Sequence, residues 1–371
     1  MANRFEQHPR LTLFIISIIT LLILLIGFEK ILGARLTGGN SDEIVRHIRL
    51  REHSPLLQQK MRPDAGVLAS SDDLPDKAFS FSTDINGYIQ PSLIHEKADS
   101  TIAFIGGSTT ECMFIDEDKR FPYLVGQLLE TNKFKVNTIN SGVSGNDSLH
   151  SIDIFLNKII ADKPNIAVLM HNINDLSVLL YEKSYWNDND YRSPLIVEDR
   201  SIKSFIKQLL PNTYELLYRL KTNLAGQIDE FKDIRGKKLT INRDQILDQF
   251  GSNLEIFVNT AKAKHIQPVL MTQANRFTEK PDATILKNLA ALKSLGVSYQ
   301  DYRDIYRAMN KKIRQVATAN NVLLIDLEAQ IPQTREYMYD PVHFTDKGSV
   351  AVANIIANTL RDSLQQQTKP K

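Results

Sequence analysis

Residues 101–111 read TIAFIGGSTTE, a short apolar run that meets two glycines and then Ser108. A strand covered by helices on both faces is nearly continuous in apolar character, so this run predicts a parallel strand. The glycines predict a tight turn that delivers Ser108 at the start of a helix. Four further runs share the pattern: KVNTI at 135–139, IAVLM at 166–170, QPVLM at 267–271 and VLLIDL at 322–327. Amphipathic stretches at 122–131, 148–161, 244–264, 301–319 and 348–360 lie between or after them. Strands alternating with helices predict an α/β fold with a doubly wound parallel sheet. Ligands bind such sheets beyond the carboxyl ends of the strands, so chemistry is sought just after each run.

Composition sets the outer bounds. The chain has 371 residues, 42% hydrophobic and 24% charged, which excludes wholesale disorder, a collagen-like repeat and a coiled-coil rod. A formal charge of +2 gives no reason to expect a nucleic-acid partner. With Cys112 as the single cysteine, an intrachain disulfide and a Cys-rich metal site are excluded.

Each strand end carries polar residues with two readings. Ser108 has its hydroxyl at the positive end of a helix, suited to a developing oxyanion. Taken alone, it better suits a helix N-cap with Glu111 closing a capping box, and a phosphate-binding glycine loop is a weaker rival. After the second run comes NSGVSGND at 140–147, whose Gly142 and Gly145 place backbone N–H groups at the mouth of the sheet. After the third comes HNIND at 171–175, where Asn174 offers a side-chain amide or a simple cap. Near the carboxyl end, DPVH at 340–343 sets Asp340 and His343 on one loop. That spacing allows the aspartate to orient the imidazole toward a serine, or describes a surface histidine beside a turn. No third ligand completes a metal site around them, and no cofactor is expected.

The four blocks, GGST at 106–109, the glycine loop ending in Gly145, NIND at 172–175 and DPVH at 340–343, resemble in order and spacing those of the SGNH (GDSL-type) hydrolases. The resemblance spans about residues 100–360. It implies Ser108 as nucleophile, His343 as base and Asp340 as its orienter. It also implies an oxyanion hole from the Ser108 amide, the Gly145 amide and the Asn174 side chain, with Gly142 an alternative second-block residue. Two positions depart from the family pattern: Gly107 stands where an aspartate is usual, and Asn172 where a glycine is usual. The implied activity is ester chemistry without a cofactor.

The amino terminus adds a context. Residues 11–28 read LTLFIISIITLLILLIGF, 18 residues without a charge and long enough as a helix to span about 27 Å. With only a poor cleavage site after it, an uncleaved single-pass anchor is expected rather than a signal peptide. Residues 1–10 then form a cytoplasmic tail, and the catalytic domain lies in the periplasm or outside the cell. Residues 29–98, rich in charge with scattered proline, are expected to form a membrane-proximal stalk. The hydrolase domain is expected over 99–365, with an insertion at about 181–262 that opens on Tyr181, Tyr185, Trp186 and Tyr191. Those aromatics suit either a carbohydrate face or a lid packed on its own core. Together these features point to O-acetyl esters of an envelope or exported polysaccharide as substrate, with polysaccharide-biosynthesis proteins as partners. A lipid-directed esterase or thioesterase, an acetyltransferase and a non-catalytic assembly subunit are the alternatives.

Overall fold

A computed structural model describes residues 8–36, 45–92, 95–189, 191–198 and 236–367. The chain divides into two compact units, residues 1–48 with 195–228 and residues 49–194 with 229–371.

The first unit contains a helix over Pro9–Leu36 and an antiparallel ribbon in which Val45–Ile48 pairs with Leu195–Glu198. Pro9–Phe28 has a mean hydropathy of 2.9, and its side chains are exposed. That length and composition are those of a membrane anchor or a signal sequence. Much of the insertion, residues 199–235, lies outside the described residues.

In the second unit, a parallel sheet is formed by β1 (Ser100–Gly106), β2 (Val136–Gly142), β3 (Ile166–Met170), β4 (Gln267–Met271) and β5 (Leu323–Ile325), in the spatial order β2-β1-β3-β4-β5. The reversal of strand order beside β1 puts a switch point at the turn that carries Ser108. Helices α1 (Ser108–Glu111), α2 (Phe121–Thr131), α3 (Ser148–Asn157), α4 (Ile173–Tyr181), α5 (Arg243–Ala263), α6 (Tyr299–Ala319) and α7 (Asp346–Gln367) connect and cover the strands. Alternate strand residues feed two cores. Ala103, Ile105, Leu169 and Leu270 pack under α3, α4, α5 and α6, whereas Ile102, Phe104, Val168 and Met271 pack under α2 and α7. Burial on both faces is why these strands read as unbroken apolar runs.

The stretch expected to be a stalk divides at residue 49. From Arg49 onward it belongs to the α/β unit rather than standing apart from it. A hairpin of Gln58–Met61 against Phe79–Ser82 buries Phe79 and Phe81, and Tyr88 and Ile89 are buried beyond it. Arg120, only 1% exposed, fastens this layer to the body. Its Nη1 donates to the Gln90 carbonyl at 2.5 Å, its Nη2 to that of Ser80 at 2.6 Å, and its Nε to that of Cys112 at 3.3 Å.

Candidate active site

The β1–α1 turn brings Ser108 to the carboxyl edge of the sheet. Its N-cap is Gly107, with no side-chain cap, and Ser108 is the first helical residue. The capping-box alternative is thereby removed: neither Ser108 nor Glu111 occupies the position that the box requires. Helix α1 ends after one turn, where Cys112 takes a left-handed conformation with φ 58°.

The loop before α7 brings the other partner. His343 Nε2 lies 2.7 Å from Ser108 Oγ, and His343 Nδ1 lies 2.6 Å from Asp340 Oδ2. Asp340 Oδ1 also accepts the backbone N–H groups of Val342 and His343, which fixes the carboxylate against its own loop. Tyr339 stacks on the imidazole, with ring centroids 5.7 Å apart. Asp340 and His343 are 16% and 27% exposed at their side chains. Burial alone raises a carboxyl and lowers an imidazole. Here the pairing outweighs it: Asp340 is held below the usual carboxylate value, and the Asp340 charge and hydrogen bond, assisted by the Glu111 charge, hold His343 above the usual imidazole value. A serine hydroxyl bonded to an imidazole that is itself oriented by a carboxylate is the arrangement that turns a weak nucleophile into an effective one.

Gly145 and Asn174 join the same cleft as Ser108, His343 and Asp340. Gly145 has φ +78°, a conformation that favours glycine, and its carbonyl accepts Arg51 Nη1 at 3.1 Å as well as Arg192 Nη1. Asn174 is in the first turn of α4, and its Nδ2 donates to the Asn146 carbonyl at 2.8 Å. Gly142 serves a different need. A Cβ there would lie 2.8 Å from Glu111 Cα, so it allows β2 to run against the backbone of α1.

Behind these loops, Asp175 Oδ1 accepts the Ser148 N–H at 3.0 Å and the Tyr185 hydroxyl at 2.6 Å. This buried bridge ties the start of α4 to the start of α3. Burial, and then the charge of Asp147, push the Asp175 carboxyl up. Tyr185 is therefore part of the core; Trp186 is exposed, and among the described residues neither lines the cleft. The insertion contributes Arg192 to the cleft wall instead.

The sequence model of the GDSL-like lipase/acylhydrolase family matches residues 104–351. The chain belongs to this family. As a member it is a serine ester hydrolase, and the matched segment begins in β1 and runs into α7. Among solved structures, the chain is similar to an acetylxylan esterase from Geobacillus stearothermophilus, at 18% identity over 73% of this chain and 96% of that one, with a TM-score of 0.41. It is also similar to the lipase/acylhydrolase from Enterococcus faecalis, at 16% identity over 71% and 96%, with a TM-score of 0.42. Comparison with curated proteins yields no match.

Both departures from the family pattern have local physical explanations. A Cβ at position 107 would overlap Asn174 Nδ2 and lie 3.0 Å from the Asn146 carbonyl oxygen. A side chain at this position would therefore have to push the Asn174 amide aside. Asn172 is 1% exposed and donates to the Tyr306 carbonyl and to Asn310 Oδ1, each at 3.0 Å, which ties the end of β3 to α6.

Sequence reasoning missed Glu111, Ser144, Arg51 and Arg192 as neighbours of the site. Glu111 was legible only as a cap. The other three come together through contacts that no spacing in the chain announces.

Proposed function

We propose that this chain removes short acyl groups, acetyl above all, from O-esters of an envelope or exported polysaccharide. The observation that carries the mechanism is the continuous path Asp340–His343–Ser108 opening onto the cleft. Ser108 Oγ attacks the ester carbonyl carbon while His343 Nε2 takes its proton. The tetrahedral oxyanion is received by the N–H groups of Ser108 and Gly145 and by Asn174 Nδ2. Collapse breaks the bond to the sugar oxygen, which takes the proton back from His343 and leaves as an alcohol. Water, deprotonated by the same imidazole, then attacks the acyl-serine; the second tetrahedral intermediate expels Ser108 Oγ, which takes the proton back from His343, and the acid is released. Asp340 stays ionised and stabilises the imidazolium in both halves.

The cleft of about 340 Å³ supports a small ester. It stands near the lower end of ligand clefts, which run from about 300 to 1,000 Å³. Its apolar wall, from Val67, Met113, Phe114 and Ile115, suits a short acyl group better than a long lipid chain. The apolar amino-terminal helix supports work at the outer face of the cytoplasmic membrane, beside the proteins that assemble or export the polysaccharide. The test is a series of p-nitrophenyl acetate, butyrate and dodecanoate esters together with an acetylated glycan. Acetate release from the glycan, and a kcat/KM that falls beyond butyrate, are expected. A kcat/KM that climbs toward dodecanoate would favour the lipid-directed reading, and a folded protein with no turnover the assembly-subunit reading.

A further inference from the structure

Glu111 is fully buried, three residues after Ser108. A buried carboxylate is costly unless partnered, and its partners come from two separate segments. One carboxylate oxygen accepts the Ser144 hydroxyl, and the other lies 2.8 Å from His53 Nε2. The latter contact does not have the alignment of a regular hydrogen bond, which leaves the Ser144 hydroxyl as the directed partner. His53 is itself held edge-on against Phe81, with ring centroids 4.9 Å apart.

Ser144 is the residue immediately before Gly145 and lines the cleft with it. The peptide N–H of Gly145 turns with the backbone of Ser144, so whatever fixes Ser144 aims that N–H. On its far side the next peptide group is held by Arg51 and Arg192 at the Gly145 carbonyl. On its near side the grip is Glu111. The base of the grip is not adjustable, because a Cβ at Gly142 would already lie 2.7 Å from the Thr110 carbonyl carbon.

We infer that Glu111 is a positioning residue of the esterase site, acting through the Ser144 hydroxyl to hold the Gly145 N–H where the oxyanion forms. The inference rests on the reading of Ser108 as nucleophile. The Glu111 charge also helps to hold His343 above the usual imidazole value, after the larger contribution of Asp340.

The test compares wild type, Ser144→Ala, Glu111→Gln, Glu111→Ala and the double change Ser144→Ala plus Glu111→Ala on p-nitrophenyl acetate. A serine-reactive phosphonate reports Ser108 independently. Misplacing a catalytic group by about 1 Å costs up to roughly 100-fold, so Ser144→Ala should lower kcat by about 10- to 100-fold. Its KM should stay within about threefold, since an oxyanion donor acts mainly in the transition state. Glu111→Gln keeps an oxygen that can accept the hydroxyl and should retain most of kcat, whereas Glu111→Ala should not. The double change should be no worse than the poorer single change, because the two act as one unit. Ser144→Ala removes a single oxygen, and a folded Ser144→Ala enzyme with wild-type kcat, in a preparation whose wild type labels at Ser108, overturns the positioning role alone. Failure of the wild type to label at Ser108 overturns the reading beneath it.

Discussion

The side-chain amide of Asn174 rests directly against Gly107, in the space that a Cβ on the residue preceding the serine would take. Glycine at this position lets the Asn174 amide lie against the backbone of the β1–α1 turn that carries Ser108. Gly107 has φ −89°, so its role is one of space and not of backbone freedom. Gly107→Ala should displace Asn174 and lower kcat on a small acetyl ester by about 10- to 100-fold with the fold intact. Unchanged kcat in the folded variant would show that Asn174 does not act from this position.

The Asp340–His343 pair predicts the pH behaviour. Because His343 is raised, the acid limb of kcat/KM should have its inflection above the ordinary imidazole value of 6.5. Asp340→Asn removes the charge that raises it. The limb should move to lower pH while kcat falls by up to about 10⁴-fold, as the imidazole loses its tautomer and its counter-charge. A limb that stays in place in the asparagine variant would contradict the pairing.

The same pair leaves a signature in stability. Asp340 is depressed, so its contribution is present above the ordinary carboxyl value of 3.8 and is lost as pH falls through its folded value. His343 is raised, so its contribution is present below 6.5 and is lost as pH rises through its folded value. The difference in Tm between wild type and His343→Ala should therefore be largest between about pH 4 and pH 6.5. A difference that is flat from pH 3 to pH 9 would argue against it.

Arg120 should be a main fastening of the pre-sheet layer. Arg120→Ala strips donors from three backbone carbonyls and opens a void beside Phe81, over which the guanidinium sits at 5.4 Å. A loss of roughly 3–5 kcal/mol in unfolding free energy is expected from denaturant titration. A loss under about 1 kcal/mol would mean that the layer is held mainly by its apolar residues.

Cys112 lines the cleft but should take no part in the reaction. Burial pushes its thiol up to about 12, and its Sγ approaches the Thr109 carbonyl at 3.4 Å. A thiol held in that form is a poor nucleophile. Cys112→Ala should keep kcat within a few-fold. A loss as deep as that of Ser108→Ala would make it a rival nucleophile.

The five strands of the sheet were legible because burial on both faces leaves a continuous apolar run. Those at 166–170 and 267–271 match β3 and β4 residue for residue. The last was read too long, since Asp326 leaves the strand to cap the short helix Leu327–Gln330. That Ser108, Asn174, Gly145, Asp340 and His343 would line one cleft was legible because each stands at a strand end or a loop facing that edge. Residues 49–92 were not, because their apolar residues, Phe79, Phe81, Tyr88 and Ile89, come in pieces too short to show a period. What docks them is non-local: Arg120 reaches Ser80 across 40 positions and Arg51 reaches Gly145 across 94.

The central claim is that Ser108 forms the covalent acyl intermediate. The most direct measurement is mass spectrometry of the peptide containing Ser108 after exposure of the folded, active enzyme to a serine-reactive phosphonate. One adduct per chain on Ser108 is expected, with labelling and turnover lost together in Ser108→Ala and strongly slowed in His343→Ala. An active preparation that takes up no label at Ser108, and a Ser108→Ala variant that retains its rate, would contradict it.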